Sequence, residues 1–401
     1  MSKLLWANMQ CLVDPTSGAS LSIRNALKGL HGIGWDIRIL GATCFDNPNA
    51  ITAFPENEKK KIYDTENIKG LKIKDGPLTH DLINTDNSNR DRILVRFENT
   101  FFKTYTKMLE EFKPDVVWLY GGRPLDCLVA SDASLKRAVV ASYLVNGGYH
   151  SKRWARDYDT IITDSNATKN LYKERLNLNL TKIGKFLDHS QISKTIPTTS
   201  DILVVNPAIE KGGLLIVQVA YHLVKLGRNI KIRVAESRGD LFAVVDAVSK
   251  HYNVPSSFFD DIFVNLGTIK DMRSFYDSGR ILFAPSVWYE SGSRALAEST
   301  LSGRPVITTD CGGNKEMIGN SGTVIRLPDF FHEKPYTKLL PEKNVAHVTD
   351  AILKYFDDEE YYREKSKAAR TYGAKVHDSM VSAKALSDHF KKLILEKDKK
   401  N

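Results

Sequence analysis

The sequence is poor in cysteine and has no cysteine pattern that suggests a metal or disulfide site. Its 401 residues include four cysteines, which stand far apart with no C-x-x-C pair. They are Cys11, Cys44, Cys127 and Cys311. So scattered a set argues against both a disulfide framework and a structural zinc site. We expect a reducing environment and neither a metal ion nor another cofactor.

Long apolar runs are also missing. No stretch approaches the roughly 18 residues of a membrane-spanning helix, and the start, MSKLLWANMQ, lacks the apolar core and cleavage site of a signal peptide. We therefore expect a cytoplasmic protein. The net charge of +9 permits attraction to anionic lipids or nucleic acids and does not choose between them, so peripheral contact with the inner face of a membrane stays open. The lysines are dispersed and no aromatic-basic module is present, so nucleic acid is not a predicted partner.

The richest stretch is Pro285–Gly313, which reads PSVWYESGSRALAESTLSGRPVITTDCGG. It follows a short apolar run, residues 281–284, that predicts a buried strand. Gly292 or Ser293 can cap a helix, and a second apolar run, residues 306–309, predicts the next strand. The predicted unit is strand, polar loop, helix and strand.

Two carboxylates bracket this turn, Glu290 in the loop and Glu298 on the helix. Because helical side chains lean towards the N-terminus of their helix, both acids can face one ligand. The unpaired N–H groups at a helix start favour an anion such as a diphosphate. The arrangement predicts a site for a nucleotide-linked sugar.

These residues resemble the E-x7-E signature of the retaining family-four glycosyltransferases, which have the GT-B fold. The resemblance implies that Glu290 binds the donor sugar, that Glu298 binds the ribose hydroxyls, and that helix-start amides hold the diphosphate. Those amides belong to Ser291, Gly292, Ser293 and Arg294. The sequence departs from the common pattern at Gly292 and Ser293, where an aromatic residue and a glycine are usual.

A second element, Lys211-Gly212, resembles the K-G pair of the same family, whose lysine neutralises the donor diphosphate. The glycine-arginine pair that is usual upstream is missing, and Asn206-Pro207 stands near its place. One cation of the usual pair is therefore unassigned, with Arg294 as one substitute.

The resemblance implies further donor-site positions. Gly18 stands in the first loop, where the family has a Gly-Gly pair, and His150 follows a predicted strand where several relatives have a histidine near the donor sugar. Gly267, Thr268 and Ile269 follow a strand where relatives contact the nucleotide base. A plain surface or core role for a lone histidine stays open. The predicted catalytic residues are Glu290, Lys211 and His150.

Asp157-Tyr158-Asp159 spells the D-x-D metal motif of the other large glycosyltransferase fold. It leads directly into the predicted strand Thr160–Thr163. We interpret it as a helix-to-strand corner, because a hard cation needs more oxygen ligands than the neighbouring sequence offers.

Strands and helices alternate in both halves of the chain, which predicts an α/β protein. With the resemblance, this implies the GT-B architecture of two doubly wound Rossmann-like domains that face a cleft. The predicted parts are an acceptor-binding domain (1–185), a linker (186–200), a nucleotide-sugar-binding domain (201–375) and a C-terminal helix (376–401) that crosses back to the first domain. Residues 46–91 are interpreted as a variable insertion with one hairpin-like piece, Ile68–Lys74.

The predicted function is retaining, metal-independent transfer of a hexose from a nucleotide-diphosphate sugar to an acceptor hydroxyl, in glycan, polysaccharide or glycoconjugate biosynthesis. The expected donors are UDP- or GDP-linked sugars. The acceptor is a glycan, a lipid-linked molecule or a small molecule. The alternatives are a nucleotide-sugar epimerase or a glycan phosphorylase on the same fold, or a non-catalytic partner subunit that binds the donor. The sequence predicts neither the sugar nor the oligomeric state.

Overall fold

A computed structural model describes residues 1–54, 56–63, 70–237, 239–269 and 271–399 of the chain. The chain divides into two compact units. The first contains Met1–Leu187 and the described residues from Ser379 onward, and the second contains Asp188–Asp378.

Each unit is built on one β-sheet. The strands are β1 (Lys3–Ala7), β2 (Asp36–Ala42), β3 (Leu71–Asp75), β4 (Leu78–Ile83), β5 (Val116–Leu119), β6 (Val139–Tyr143), β7 (Thr160–Thr163), β8 (Thr181–Lys182), β9 (Ile202–Val205), β10 (Ile232–Ala235), β11 (Phe263–Asn265), β12 (Ile281–Ala284), β13 (Val306–Thr309) and β14 (Thr323–Ile325). The central strands β5 and β6 are buried along their whole length, as expected for apolar runs in a parallel sheet with helices on both faces.

Helices connect most of these strands. They are α1 (Gly18–Gly32), α2 (Glu56–Lys59), α3 (Val95–Phe112), α4 (Pro124–Leu135), α5 (Asn166–Leu176), α6 (Gly213–Lys225), α7 (Leu241–Tyr252), α8 (Met272–Asp277), α9 (Arg294–Leu301), α10 (Asn314–Ile318), α11 (Glu342–Asp357), α12 (Glu359–Val376) and α13 (Ser379–Asp398). Among the described residues, none of these helices combines the length and the apolar character needed to cross a lipid bilayer.

In the first unit, the described strands form an eight-stranded sheet in the order β3-β4-β2-β1-β5-β6-β7-β8. Its core includes Trp6 on β1, Trp118 on β5 and Phe390 on α13. Trp118 packs edge-on against Trp6 and Phe390, with ring centroids 5.7 Å and 5.6 Å away. The last helix therefore completes the core of the first unit.

The hairpin of β3 and β4 lies within residues 46–91, which the sequence analysis interpreted as a variable insertion. β4 pairs in parallel with β2, and β3 pairs antiparallel with β4, so the hairpin extends the sheet rather than standing apart from it. Leu71 and Ile73 alternate with exposed lysines, which is typical of an edge strand with one covered face. Residues 55 and 64–69, including the start of the predicted hairpin piece, lie outside the described residues.

The last helix begins at Ser379 rather than at residue 376. α12 ends at Val376, and His377 follows it as the C-cap, with its backbone N–H donating to Gly373 O at 2.8 Å. The side chain of His377 also lies 2.7 Å from the carbonyl oxygen of Met317 through Nε2. These two bonds fix the break between the helices. The predicted helix also included residues 400–401, which are outside the described part of the chain.

In the second unit, the described strands form a six-stranded sheet in the order β11-β10-β9-β12-β13-β14, and every neighbouring pair is parallel. The chain builds this sheet outward from β9 in one direction and then outward from β12 in the other. The strand order therefore reverses between β9 and β12. Ligands of open α/β sheets bind beyond the carboxyl ends of the strands at such a reversal.

Candidate functional site

Two loops meet at the reversal point of the second sheet. Residues 206–212 follow β9, and residues 285–293 follow β12. The backbone N–H groups of Val287 and Trp288 both donate to the carbonyl oxygen of Glu210, at 3.1 Å and 3.2 Å. The two loops therefore form one joined surface at the carboxyl end of the sheet, and we call it the paired loops.

Two glycines allow the backbone to pack closely at the paired loops. Gly212 has φ +84°, and a Cβ there would lie 2.1 Å from the carbonyl oxygen of Pro285. Gly312 has φ +61°, and a Cβ there would lie 2.0 Å from the carbonyl oxygen of Glu290. Larger residues would clash with backbone at both positions. Gly313 adds a bond of 2.8 Å from its N–H to the same carbonyl of Glu290.

The paired loops bring Lys211 and Glu290 into direct contact. The Lys211 ammonium donates to Oε1 of Glu290, and the hydroxyl of Ser286 donates to the same oxygen at 3.1 Å. The side chains of Lys211 and Glu290 are 18% and 11% exposed. Lys211 Nζ also lies 4.7 Å from the ring centre of Trp288, a favourable cation–π distance. The pair is largely buried, but solvent reaches both of its members.

The charge of Lys211 controls the ionisation of Glu290. Burial acts to raise the pKa of the Glu290 carboxyl, but the charge and hydrogen bond of Lys211, with smaller contributions from Trp288 and Ser286, together hold that pKa below its ordinary value. Glu290 is therefore an anion at neutral pH. It can accept hydrogen bonds from a ligand but cannot act as an acid in this state.

Glu298 is held at both carboxylate oxygens. Nε of Arg294 donates to Oε1 at 2.6 Å, and the hydroxyl of Tyr276 donates to Oε2 at 3.0 Å. Tyr276 comes from α8 and is fully buried, and burial together with the nearby Glu298 raises its pKa well above the ordinary value. The sequence analysis considered Arg294 as the second diphosphate cation, but its charge is shared with Glu298.

The start of α9 faces the loop that carries Glu290. Ser293 occupies the N-cap position in extended backbone, and its side chain makes no capping hydrogen bond within the described structure. The first-turn N–H groups of a helix have no acceptor inside the helix. Ser291 and Gly292 precede the cap and are buried. The helix start can therefore offer N–H donors to an anion.

The predicted base-contacting residues lie on the same edge of the sheet, after β11. Gly267 has φ +61°, donates its N–H to Oδ1 of Asn265 at 2.9 Å, and accepts from the N–H of Glu236 at 2.8 Å. This turn leaves Thr268 exposed and Ile269 half-buried. β11 is separated from β9 by one strand, so these residues lie to one side of the paired loops.

Gly18 and His150 belong to the first unit. Gly18 begins α1 behind the cap Ser17 and is exposed, with no atom within 4 Å of a Cβ built there. His150 is exposed in the loop after β6. Their suggested part in binding a donor stays a prediction.

The structure adds residues that the sequence analysis missed. Trp288 contacts Lys211, and Tyr276 fixes Glu298, as described above. Asn314 begins α10 and is fully buried, yet neither its amide oxygen nor its amide nitrogen has a hydrogen-bond partner among the described residues. A buried amide without a partner is costly and marks a place for a ligand or a water. Its position directly after Gly312-Gly313 was the available signal.

The D-x-D sequence forms a corner that holds the first unit together. Asp157 pairs with the neighbouring Arg156 at 2.8 Å, whereas Asp159 accepts from Val140 N at 2.8 Å and from Lys397 Nζ at 2.7 Å. These bonds explain the two acids without a ligand. Within the described chain, no group of three or more His, Cys, Asp or Glu side chains is placed to hold a metal ion.

Comparison with known families gives one match. Residues 249–358, which lie in the second unit and contain Glu290 and Glu298, match the family model described as glycosyl transferases group 1. A search among curated proteins finds no significant match.

Solved structures resemble the chain over nearly its whole length. Sucrose-phosphate synthase from Thermosynechococcus elongatus aligns with TM-score 0.69 and 13% identity, covering 99% of this chain and 100% of that one. A glycosyltransferase from Rickettsia africae ESF-5 aligns with TM-score 0.66 and 14% identity, covering 98% of each chain. HepE from Anabaena, in complex with UDP-glucose, aligns with TM-score 0.64 and 12% identity, covering 98% and 100%. At these identities the likeness shows the fold, two parallel-sheet Rossmann-like domains, as the sequence predicted.

Proposed function

The chain has the GT-B fold and matches the group 1 glycosyltransferases over residues 249–358, and on this premise we propose that it transfers a sugar from a nucleoside diphosphate to an acceptor hydroxyl. In this proposal the anomeric configuration is retained and no metal ion takes part. The proposed context is the synthesis of a glycan or glycoconjugate.

The observation that carries the proposal is the contact between Lys211 and Glu290 at the reversal point of the second sheet. A cation suited to a diphosphate stands beside an anion suited to sugar hydroxyls. An activated sugar presents these two kinds of group next to each other. α9 begins directly after the loop that carries Glu290, and in this proposal its first-turn N–H groups are donors for the phosphates.

The donor-site residues then have separate roles. Lys211 and the N–H groups of Ser291, Gly292, Ser293 and Arg294 hold the diphosphate. Glu290 accepts from hydroxyls of the sugar, and Glu298 accepts from hydroxyls of the ribose. Gly267, Thr268 and Ile269 contact the base. The resemblance further implies a donor-binding role for Gly18 and a catalytic role for His150.

The chemistry is leaving-group stabilisation. The bond between C1 of the sugar and the phosphate oxygen breaks, the acceptor oxygen bonds to C1, and the acceptor proton passes to the departing phosphate. In this proposal Lys211 and the α9 amides face the phosphate on which negative charge grows, so they stabilise the transition state more than the ground state. Water must be kept from C1, because hydrolysis competes with transfer.

A ligand panel tests the donor site. Thermal unfolding is measured with UDP-glucose, GDP-mannose and ADP-glucose, UDP-glucose first because the HepE neighbour is in complex with it. A ligand at a hundred times its Kd stabilises the folded state by about 2.7 kcal/mol. We expect a clear rise in Tm with one member of the panel, and we expect Lys211→Met to remove it.

The matched control is Lys250→Met, which removes an exposed lysine paired with Asp246 at 2.6 Å in the same unit. This variant should keep the ligand-induced shift. A wild-type protein that none of the three sugars stabilises would contradict the proposal. Turnover of the bound donor into an epimer with no acceptor present, or a strict need for inorganic phosphate, would favour an epimerase or a phosphorylase.

A further inference from the structure

The lysine assigned to the diphosphate is already neutralised, because it donates to Glu290. We propose that the Lys211–Glu290 pair distinguishes the intact donor from its diphosphate product: the diphosphate alone binds with uptake of a proton, whereas the nucleotide sugar binds without it. This inference rests on the proposed function and adds a device that favours release of the product.

The pair must open or be shared when a phosphate arrives. If the Lys211 ammonium moves to the phosphate, Oε1 of Glu290 keeps the hydroxyl of Ser286 as its donor. That single hydroxyl proton is shared with the carbonyl oxygen of Glu210, which lies 3.3 Å from the Ser286 hydroxyl oxygen, so Ser286 is a weak substitute for the lysine. If the ammonium stays, the Glu290 carboxylate faces the phosphate as a like charge. Either geometry disfavours an ionised Glu290 beside a bare diphosphate.

The other groups around Glu290 do not replace the lysine. Cys311 follows β13, and burial, Asp310 and Glu290 raise the pKa of its thiol to about 12, so it is uncharged. His332 lies against Cys311 Sγ at 3.0 Å and against the Val287 carbonyl at 2.8 Å through Nδ1, so that nitrogen is directed at these atoms. Asp310 is itself an acid. Lys211 is thus the cation whose charge lowers the pKa of Glu290, and the uncharged Trp288 and Ser286 side chains lower that pKa further.

The sugar supplies what the diphosphate lacks. Its hydroxyls can donate to Glu290 as Lys211 turns to the phosphate, so the carboxylate stays ionised and satisfied. Without the sugar, Glu290 keeps its burial, which acts to raise its pKa, and loses the charge that lowered it. It then takes a proton from water. The Glu290 side chain therefore favours binding of the nucleotide sugar and disfavours binding of the diphosphate product.

The test is isothermal titration calorimetry in two buffers of different ionisation enthalpy, which counts the protons exchanged on binding. The probes are UDP against UDP-glucose, and GDP against GDP-mannose, at about pH 7, where a terminal phosphate with a second pKa near 6 is mostly ionised. Wild-type protein should take up a fraction of a proton with the diphosphate and none with the nucleotide sugar. Glu290→Gln should abolish the uptake and tighten diphosphate binding roughly tenfold.

The Glu290→Gln variant still binds the ligand but lacks the carboxyl group that titrates. Any proton exchange that it shows therefore comes from the phosphate itself and can be subtracted from the wild-type value. Lys250→Met should behave as wild type. Equal proton exchange for UDP and UDP-glucose in the wild type would overturn the inference while the donor site stands, and this comparison does not depend on the variant folding. If neither pair of probes binds the wild type, the proposed function fails and the inference fails with it.

Discussion

Each unit contains a lysine–acid pair at the carboxyl end of its sheet, and the two pairs differ in access to solvent. In the first unit, Lys185 contacts Asp164, which follows β7 and also accepts from the hydroxyl of Tyr143 at 2.5 Å. The Lys185 and Asp164 side chains are 6% and 0% exposed. In the second unit, Lys211 and Glu290 are 18% and 11% exposed.

This difference separates a structural pair from one that can exchange partners. Asp164 is enclosed by its two donors, so a ligand has no path to it. Burial and the nearby Asp164 also raise the pKa of Tyr143 well above its ordinary value, which keeps that hydroxyl a donor. Lys211 and Glu290 lie in loops that water reaches, where a phosphate or hydroxyl can replace one partner. The same two kinds of group are therefore closed to a ligand in the first unit and accessible to one in the second.

The largest effect is expected from Lys185→Met. It removes the cation from a fully buried carboxyl group, which should lower the free energy of unfolding by about 3–5 kcal/mol. Chemical denaturation monitored by circular dichroism measures this. Adding Asp164→Asn to the same chain should recover most of the loss, because the remaining charge is gone. If Lys185→Met were as stable as the wild type, the Lys185–Asp164 pair would not be closed to solvent.

Glu290→Ala should nearly abolish sugar transfer, with a loss of about 10²–10³-fold in kcat/KM, because under the proposed function it removes the group that orients the donor at the reacting carbon. The measurement is release of nucleoside diphosphate from the donor found in the ligand panel. The control variant is Asp159→Ala, which removes an acid from the D-x-D corner of the first unit. It should leave the donor KM unchanged. Unaltered transfer by Glu290→Ala would end the assignment.

Lys211→Met is the direct counterpart of Lys185→Met. We expect a loss of donor affinity of roughly 10–100-fold, because hydrogen bonds to charged groups contribute about 1.5–3 kcal/mol. The cost in unfolding free energy should be smaller than for Lys185→Met, at about 1–2 kcal/mol, because solvent and Ser286 still serve Glu290. Titration calorimetry and denaturation give both numbers. A stability loss as large as that of Lys185→Met would erase the distinction between the pairs.

Tyr276→Phe should raise the donor KM a few fold and cost about 1–2 kcal/mol of stability, since it takes one buried donor from Glu298. Steady-state kinetics and denaturation test this. Tyr355→Phe removes a comparable hydroxyl contact, 2.8 Å from Thr323 Oγ1, and should cost stability with no change in KM. If both variants changed the donor KM equally, Tyr276 would have no role in donor binding beyond packing.

The smallest effect is a pH dependence. The folded-state pKa of Glu290 lies below its ordinary value of 4.5, so its ionised form stabilises the folded protein above that value. This contribution should disappear as the pH falls from about 5 through the lowered pKa. The difference in unfolding free energy between wild type and Glu290→Gln, followed from neutral to acid pH, should therefore shrink on acidification. A difference that grows would reverse the sign of the shift.

Local signals in the sequence predicted the strand, loop, helix and strand around Glu290. The apolar runs at 281–284 and 306–309 are β12 and β13, and the helix begins at Arg294, directly after the predicted cap. These features depend on neighbouring residues, so a linear pattern suffices to find them.

The contacts of the site could not be predicted in the same way. Lys211 and Glu290 are 79 positions apart and meet because β9 lies beside β12. Tyr276 reaches Glu298 from another helix. The spacing of Arg294 and Glu298, four positions apart on one helix, did carry a signal for an ion pair. The resemblance to the glycosyltransferase signature instead implies a phosphate ligand for that arginine.

The hairpin at the edge of the first sheet has a consequence for the concentrated protein. The other edge strands are short, with two residues in β8 and three each in β11 and β14. β3 has five residues and carries Lys72 and Lys74, both exposed. An outer strand with unpaired amides invites a strand from another molecule, and lysines oppose that addition. Replacing both lysines with threonine would remove this protection against edge-to-edge aggregation.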